Sequence, residues 1–558
     1  MASGLKWLVA SVALSSLFLG GSHAFIRVQS GLFVDDQCKE FTFSGYNTWQ
    51  PIEAALNICC GGYTALVGQF KEAARQNFNV VRMFGFPVQR GFNLQTSAGV
   101  YNEQAFKGFD ITIAEAAKQN IRLVIALTNN WNYNPLQTDW KCAYTNWTTT
   151  ATDCDDFFTD PNAIQLYKNH IRTILTRVNT VTGIKYGADP TIMAWNLMNE
   201  PRNERPYPLG AQQIQSWINE VAPYLKSLAP NQLVTVGEDG FYQTANCQSN
   251  QANPVPNSNG GAGGAWPLNT GNDFLPNHLA NGIDYGSIHM WPDNWGRTDL
   301  GFGKAWLQAH IDDVKYMGKP LVLEEFGKAV GGYLPVDKAE GPQAQYNYYQ
   351  QTYSQAQQSL DSNTGLKGIM FWRWAGVDPT VVLSGTDFNE AATIASNSTV
   401  FTDILQPFSQ RLAQKNANPN RAAVPGCQVL SNVPTLSASK SAAVAATPPT
   451  AAVPPVSANT AAGSGSTPTG NAGSSYTGAA AGGRKLRQDA AAAPTQAPPI
   501  ATPTNNAPAT QANAPPTKTA ASSATPGAPP TSYAGPSTFT TPAGTTAQNV
   551  NSKVQCSG

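Results

Sequence analysis

The sequence predicts a (β/α)8 barrel followed by a low-complexity tail, and two observations support this fold. Residues 25–430 contain eight short apolar runs rich in Val, Ile, Leu and aromatic residues, which is typical of parallel strands buried on both faces. Amphipathic segments with the period of a helix lie between most of these runs, and this alternation indicates a parallel sheet. An open doubly wound sheet is the alternative, but no glycine-rich phosphate-binding loop follows any predicted strand.

The predicted elements alternate along the chain in the order that a barrel requires. Strands are expected at residues 41–47, 79–84, 121–128, 192–199, 233–238, 283–290, 320–326 and 368–374. Helices are expected at residues 64–76, 103–118, 163–181, 211–228, 304–316 and 343–359. Two long segments, residues 129–158 and 240–281, follow the third and fifth strands. Loops that follow strands stand on the active-site face of a barrel, so these segments are expected to form the walls of a cleft.

The two ends of the chain differ from the barrel in composition. Near the N-terminus, Lys6 precedes an apolar run at residues 7–19 and then small residues, the pattern of a secretory signal peptide over residues 1–24. The run is too short to span a bilayer, so a secreted protein, extracellular or in a cell wall, is expected. Residues 431–558 are dominated by Ala, Thr, Ser, Pro and Gly, with Asp489 as their single acidic residue. This composition predicts a disordered tail that could associate with a cell wall.

Charge and cysteine content narrow the class of protein. The formal net charge is zero and the pI about 6.9, which argues against a nucleic-acid-binding protein. All eight cysteines follow the predicted signal peptide, so disulfides are expected. Cys142 and Cys154 share one loop and are candidate mates, whereas the neighbours Cys59 and Cys60 are expected to bond elsewhere. No C-x-x-C pair is present, so a structural zinc ion is not expected. No cofactor is expected either. Glycosylation sequons, which suit a secreted protein, begin at Asn146 and Asn397.

Polar residues follow the predicted strands at the ends that meet at the mouth of a barrel. Arg82 lies on the second strand, Glu200 ends the fourth, His289 the sixth and Trp372 the eighth, and two adjacent glutamates end the seventh. Two carboxylates at one mouth suit glycoside hydrolysis, in which one carboxyl protonates the leaving oxygen and the other attacks the sugar carbon. The tryptophan offers a flat apolar face for a sugar ring.

Each of these residues also has a purely structural interpretation. Glu200 could cap the next helix or pair with an arginine, and His289 could be a hydrogen-bonded histidine of the core. Of Glu324 and Glu325 only one is expected to face the pocket, because successive side chains of a strand point to opposite faces, and periodicity does not choose between them. A metal site is disfavoured, because the chain has five His and neither H-x-H nor H-E-x-x-H spacing.

Two motifs at the predicted strand ends are specific when they occur together: Asn-Glu-Pro-Arg at residues 199–202 and Glu-Phe-Gly at residues 325–327. Further matching stretches, in family order, are GYN at 45–47, VRM at 81–83, NNW at 129–131, DFFTD at 156–160, DPTIMAWNLMNEPR at 189–202, GEDGFY at 237–242, DYGSIHMWPDNW at 284–295, KPLVLEEFG at 319–327 and FW at 371–372. Residues 25–430 therefore resemble glycoside hydrolase family 5 of clan A, and particularly the endo-β-1,4-mannanases of the plant and fungal type.

The resemblance implies a role for each residue of the candidate site. Glu200 would be the general acid/base, and Glu325, directly before Phe-Gly, would be the nucleophile of a reaction that retains the anomeric configuration. Asn199 would hold the sugar 2-hydroxyl, and Arg82 and His289 would orient and tune the nucleophile.

Three tryptophans and a second arginine complete the site that the resemblance implies. Trp372 would form the floor of the subsite where cleavage occurs, and Arg202 would act on the leaving-group side. Trp131 and Trp291 would contact the substrate. Trp291 departs from the family, which usually has His-x-Tyr on the sixth strand with the tyrosine hydroxyl hydrogen-bonded to the nucleophile. Here an indole N–H could donate from a similar place.

The function implied by the resemblance is hydrolysis of internal β-1,4-mannosidic bonds in mannan, glucomannan or galactomannan by an endo-acting mannanase. The same two glutamates could serve a β-1,4-glucanase or a transglycosylase, and the sequence does not separate these from a mannanase. A non-catalytic carbohydrate-binding wall protein is the alternative from another class. The departure at Trp291 and the composition of the tail favour that alternative, and the presence of both glutamates opposes it.

Overall fold

Eight parallel strands, β1–β8, form the central sheet of the computed structural model, which describes residues 24–243, 252–254, 266–297, 299–331, 340–375 and 392–429. The strands are Phe43–Thr48, Val80–Phe84, Arg122–Ala126, Ile192–Asn196, Leu233–Thr235, Gly286–Met290, Leu321–Phe326 and Leu366–Phe371. Hydrogen bonds join them in the order β6-β7-β8-β1-β2-β3-β4-β5. At the remaining seam, between β5 and β6, the Asp284 N–H donates to Val234 O at 2.8 Å, and the Thr235 hydroxyl donates to Tyr285 O at 2.8 Å. The sheet is therefore nearly closed, and the predicted barrel is confirmed.

Helices surround the sheet, and side-chain caps explain where several of them begin. The helices α1–α10 are Pro51–Ala55, Gly62–Arg75, Glu103–Lys118, Lys141–Asn146, Pro161–Thr176, Leu209–Leu228, Phe274–Leu279, Leu300–Met317, Pro342–Ser362 and Gln406–Ala417. Asn102 caps α3, Asp160 caps α5 directly before Pro161, and Asp299 caps α8. Every predicted helix is present. Four of these helices were not predicted. Of these, α1, α4 and α7 have only five or six residues, too few to show a helical period in the sequence. The fourth, α10, has twelve residues and follows the last predicted strand, beyond the alternation that placed the other helices.

The barrel is apolar at one end and polar at the other. Where the strands begin, Val80, Val124 and Val322 fill its interior. An N-terminal hairpin, Arg27–Gln29 paired with Leu32–Val34, contributes to the same apolar cluster. Buried polar side chains occupy the end where the strands finish. The candidate residues are thus held by the ends of rigid strands, which suits a site that needs fixed geometry.

Three disulfides are present among the described residues: Cys38–Cys427, Cys59–Cys60 and Cys142–Cys154. The predicted pairing of Cys142 with Cys154 is confirmed. The expectation that Cys59 and Cys60 bond elsewhere is wrong, because the turn between α1 and α2 folds these neighbours onto each other. Cys60 takes a left-handed backbone conformation there, with φ of 59°. The two remaining cysteines of the sequence, Cys247 and Cys556, lie outside the described residues.

Some predictions fall on parts of the chain that the structure does not describe. The tail over residues 431–558 lies outside the described residues, and so does the signal peptide over residues 1–24, apart from Ala24. Much of the long segment after β5 lies outside them too. The long segment after β3 is described, and it contains α4 and a 3-10 helix, Cys154–Phe158. In the described ranges no helix has both the length and the apolarity of a membrane span.

Candidate active site

Glu200 stands at the mouth of the barrel in an unusual backbone conformation. It follows β4 with φ of 49°, in the left-handed region that residues other than glycine rarely adopt. Its N–H donates to Gly237 O at 2.7 Å, which ties the end of β4 to the loop after β5. A Cβ on Gly237 would lie 2.4 Å from Met198 O, so only glycine permits this close approach. Strained backbone of this kind is common at active sites.

Both oxygens of the Glu200 carboxyl have a nitrogen neighbour. The indole N–H of Trp131 donates to Oε2 at 2.6 Å, and Nδ1 of His289 lies 3.0 Å from Oε1. The Glu200 side chain is almost fully buried. Because each oxygen is held separately, the plane of the carboxyl is defined.

Glu325 lies beside Glu200 and is held by a different pair of donors. Arg82 donates from Nη1 to Oε2 at 2.7 Å, and Trp291 donates from Nε1 to Oε1 at 2.9 Å. Arg82 is fully buried and also donates to Asn47, Asn196 and Asn199, so its guanidinium is fixed. Those three hydrogen bonds measure 3.0, 2.8 and 2.7 Å, respectively. A fixed guanidinium holds the carboxylate oxygen in one place, as an attacking nucleophile needs.

The adjacent Glu324 lies deeper in the barrel. Its oxygens accept from Asn196 at 3.0 and 3.1 Å and from the Tyr285 hydroxyl at 3.0 Å. The pKa of Glu324 is lowered: burial raises it, but the nearby His289 ring and the charge of Arg82 outweigh burial. Glu324 is fully buried, whereas Glu325 keeps 7% exposure at the pocket.

Only Glu325 of this pair is exposed at the pocket, as the alternation argument expected, but Glu324 also points into the barrel, which strict alternation does not allow. Arg82 Nη1 contacts Glu325 at 2.7 Å, and Arg82 Nε lies 3.7 Å from Glu324. The physical reason is an irregularity between β6 and β7. Ile288 pairs with Leu323, but His289 pairs with Glu325, so one extra residue is inserted in β7. Such a bulge rotates the following side chain and breaks the alternation that the sequence argument assumed.

His289 lies among three carboxylates. Its Nδ1 is 3.0 Å from Glu200 and 4.0 Å from Glu325, and its Nε2 is 3.8 Å from Glu324. Burial alone would lower the pKa of His289, but the charge of Glu325 and the contacts with Glu200 and Glu324 raise it to about 9. The ring therefore carries a positive charge at neutral pH. Its shortest contact is with Glu200, whereas the resemblance linked His289 to the nucleophile.

Aromatic side chains line the pocket next to Glu325. The rings of Trp291 and Trp372 meet edge to face with centroids 6.4 Å apart, and Trp49 packs on Trp372 at 6.0 Å. Gly327 makes room for this arrangement, because a Cβ there would lie 2.7 Å from the Trp291 ring. The glycine of the Glu-Phe-Gly motif thus has a packing role that places the indole N–H of Trp291 on Glu325.

Arg202 is held on the other side of Glu200. Its Nε and Nη2 each donate to one oxygen of Asp239 at 2.9 Å. The guanidinium carbon also lies 5.0 Å from the centre of the Trp131 ring and 5.5 Å from that of Phe241. Sequence reasoning did not single out Asp239 as a site residue. The available signal was its position shortly after β5, at the same end of the barrel as the other site residues.

Two further asparagines of the site were also missed. Asn47, on β1, donates from Nδ2 to Glu324 O at 3.0 Å and accepts from Arg82. Asn129 accepts from Asn199 Nδ2 at 3.0 Å, which leaves both ends of the Asn199 amide occupied by protein groups. Their position in the sequence could have identified these two asparagines, because both follow or end a strand at the mouth of the barrel.

The two carboxyls are close enough to act on one bond. One oxygen of Glu200, one oxygen of Glu325 and a nitrogen of His289 lie within 4.8 Å of one another. These residues could also ligate a cation, but the Arg82 guanidinium already holds Glu325 at 2.7 Å and would repel a metal ion. The arrangement therefore fits an acid paired with a nucleophile. Retaining glycosidases place these carboxyls about 5–5.5 Å apart, and inverting enzymes about 6.5–9.5 Å apart.

Comparison with known proteins relates this chain to mannosidases. A family model described as GH family 5 beta-mannosidase-like matches residues 23–271 and 258–385. A rice (Oryza sativa subsp. japonica) protein, mannan endo-1,4-beta-mannosidase 4, is 35% identical over 359 residues, which cover 62% of this chain and 73% of the relative. A tomato (Solanum lycopersicum) protein, also named mannan endo-1,4-beta-mannosidase 4, is 37% identical and covers 55% of this chain and 73% of the relative.

Solved structures show the same fold. The endo-1,4-beta-mannanase of Rhizomucor miehei superposes with a TM-score of 0.55 at 23% identity, covering 70% of this chain and 100% of that one. The endo-1,4-beta-D-mannanase of Thermotoga petrophila RKU-1 gives 0.52 at 25% identity, covering 66% of this chain and 100% of that one. Because the family model spans more than half of the sequence, the chain belongs to glycoside hydrolase family 5.

Proposed function

We propose that the protein is a secreted, endo-acting mannan endo-1,4-β-mannosidase that hydrolyses internal bonds of mannan, glucomannan or galactomannan with retention of configuration. The observation that carries this proposal is the pair Glu200 and Glu325, whose oxygens lie within 4.8 Å at the mouth of the barrel. This separation agrees with the short spacing of retaining enzymes, about 5–5.5 Å, and is below the roughly 6.5–9.5 Å of inverting enzymes. The names of the similar plant proteins support the choice of mannan as substrate.

The first step forms a covalent bond between sugar and enzyme. Glu200, in its protonated form, gives its proton to the glycosidic oxygen, and the bond from that oxygen to the anomeric carbon breaks. Glu325 attacks the anomeric carbon from the opposite side, so a glycosyl ester forms. Arg82 and Trp291 hold Glu325 in place for the attack.

The second step releases the sugar. Glu200, now a carboxylate, takes a proton from water while the water oxygen bonds to the anomeric carbon and the ester bond to Glu325 breaks. Trp131 and the positive charge of His289 stabilise the carboxylate form of Glu200 in this step. Two inversions at one carbon give net retention.

Release of reducing sugar from mannan, glucomannan and carboxymethylcellulose tests the proposal. We expect the wild type to release sugar from the mannose-containing polymers. In Glu200→Gln and Glu325→Gln, turnover should fall by at least about 1,000-fold while the polymer still binds. The first product seen by proton NMR should be the β anomer. Release from the cellulose derivative alone would make the protein a glucanase. No release from any polymer by the folded protein would favour a carbohydrate-binding role.

Secretion and wall association are proposed from the ends of the chain. The signal-like residues 1–24 and the Ala-, Thr-, Ser- and Pro-rich residues 431–558 support them. When the full-length sequence is expressed, the processed protein should be found outside the cell with an N-terminus near residue 25. A version that ends near residue 429 should be released from isolated walls at lower salt than the full chain. Equal retention of the two versions would argue against a role of the tail.

A further inference from the structure

A continuous chain of contacts connects Asp239, which lies outside the reacting pair, to the acid/base. Asp239 is fully buried and accepts two hydrogen bonds of 2.9 Å from Arg202. The Arg202 guanidinium lies over the Trp131 ring at 5.0 Å. The Trp131 N–H in turn donates to Glu200 Oε2 at 2.6 Å.

Each contact of this chain restricts the next one in direction as well as in distance. A bidentate pair fixes the plane of a guanidinium, and a guanidinium stacked on an indole restricts the tilt of the ring. The indole has a single donor and no acceptor, so its hydrogen bond has one direction. Trp131 is only half-buried, and the packing of its own loop therefore restrains the ring less than it would restrain a core residue.

We propose that Trp131 and Asp239 are positioning residues for acid catalysis: Asp239 holds Arg202, Arg202 holds Trp131, and Trp131 fixes the carboxyl of Glu200 toward the glycosidic oxygen. The inference rests on the proposed function, in which Glu200 is the acid/base. The inference concerns the orientation of the proton donor. His289 holds the other oxygen of the Glu200 carboxyl, and a carboxyl whose two oxygens are both held cannot rotate.

The dependence of rate on the leaving group separates this role from a general effect on folding. A sugar leaving group needs a proton as its bond breaks, whereas 2,4-dinitrophenolate leaves without one. A misaligned Glu200 should therefore slow the first substrate type and spare the second. The ratio kcat/KM reports the first chemical step for both types, so a second step that limits kcat does not interfere.

The test compares manno-oligosaccharides with 2,4-dinitrophenyl β-manno-oligosaccharides in the full-length enzyme. For Trp131→Phe we expect kcat/KM on the unactivated substrates to fall about 10- to 100-fold, because the lost hydrogen bond is to a carboxyl that becomes charged as its proton leaves. The loss on the activated substrates should be at least about 10-fold smaller. Asp239→Asn should show the same pattern more weakly, and it should add almost nothing when combined with Trp131→Phe.

Two further variants test whether the effect is specific to this chain of contacts. Arg202→Lys keeps the charge but loses the planar guanidinium over the Trp131 ring, and it should also discriminate between leaving groups. Asp293→Asn removes a carboxylate from another buried pair of the same rim, in which Lys328 lies at 2.7 Å. We expect this control to lower kcat/KM equally for both substrate types.

The outcomes are distinguishable. Equal losses on both substrate types in Trp131→Phe and Arg202→Lys would overturn the inference, and so would full additivity of Asp239→Asn with Trp131→Phe. Glu200→Gln provides the reference, because its loss should be concentrated on the unactivated substrates. If Glu200→Gln shows no such discrimination, the proposed function fails and the inference fails with it.

Discussion

At the scale of single residues, Trp291 shows how a neighbour can enable a departure from the family pattern. The tyrosine that usually follows the histidine is replaced by an indole, and the indole N–H reaches Glu325 Oε1 at 2.9 Å. The larger ring fits because Gly327 lies against it, where a Cβ would approach within 2.7 Å. The donor is therefore preserved although the residue type is not, which argues against a decayed site.

His289 gives a prediction about pH and stability. Its pKa is raised to about 9 in the folded protein against about 6.5 in an unfolded chain, because the charges of the surrounding glutamates outweigh burial. The folded state then binds this proton more tightly, and the resulting stability is fully present below pH 6.5. It is lost as the pH rises through about 9.

We therefore expect the difference in unfolding free energy between the wild type and His289→Gln to shrink by up to about 3 kcal/mol from pH 6 to pH 10. Urea denaturation across this range measures it. Lys319, whose pKa burial lowers to about 8, titrates in both proteins and cancels in the difference. A difference that stays constant with pH would contradict the assignment of a positive charge to His289.

At the scale of elements, the 3-10 helix Cys154–Phe158 supports the segment after β4. Lys141 lies between them: its Nζ donates to Asp155 at 2.6 Å and to Arg202 O at 2.7 Å. Arg205 adds contacts of 2.8 and 2.9 Å to Asp153 and Asp156. The long segment after β3 therefore supports the backbone that carries Arg202.

Lys141→Met should be strongly destabilising. Lys141 is buried, so its removal leaves the Arg202 carbonyl without its donor and Asp155 with only the Glu204 N–H, at a cost of about 2–3 kcal/mol in unfolding free energy. The control is Lys168→Met, which breaks a pair with the half-exposed Glu220 at 3.1 Å and should cost less than about 1 kcal/mol. Urea unfolding of both variants gives the comparison. Similar losses of unfolding free energy in the two variants would show that Lys141 does not support the segment after β4.

At the scale of the whole molecule, the ends of the barrel domain are tied together. The disulfide Cys38–Cys427 spans 389 positions of sequence. Beside it the Val424 N–H donates to Cys38 O at 2.8 Å, and Lys39 forms a bridge with Ala423. These contacts join the start of the chain to the segment after α10, at the end of the barrel where β1 begins.

Replacing Cys38 and Cys427 together by Ala should lower the unfolding free energy by about 5 kcal/mol, because the bond closes a very long loop of the unfolded chain. Guanidinium denaturation measures this change. Activity of the folded variant at 25 °C should be unaltered, since the bond lies at the end of the barrel opposite the catalytic pair. The control replaces Cys59 and Cys60, which are adjacent and close almost no loop, so its loss should be below about 1 kcal/mol. Equal losses would contradict the loop-closure explanation.

The alternation of apolar runs and amphipathic segments was sufficient to predict the barrel, because burial on both faces of a strand and on one face of a helix leaves a local pattern. The same pattern places Glu200, Glu325, Arg82 and His289 at one mouth, since parallel strands all end on the same side. The short helices were not predictable, because one turn and a half shows no period.

Other features were decided by the tertiary structure alone. The inserted residue in β7 turns Glu324 and Glu325 toward one arginine, and it depends on how β6 and β7 are paired. The contact of Arg202 with Asp239 joins two loops that lie far apart in sequence. Local sequence determines the type of each element, because propensity and amphipathic period act over a few residues. Register between strands and contacts between loops depend on the packing of the whole barrel, which no short stretch of sequence encodes.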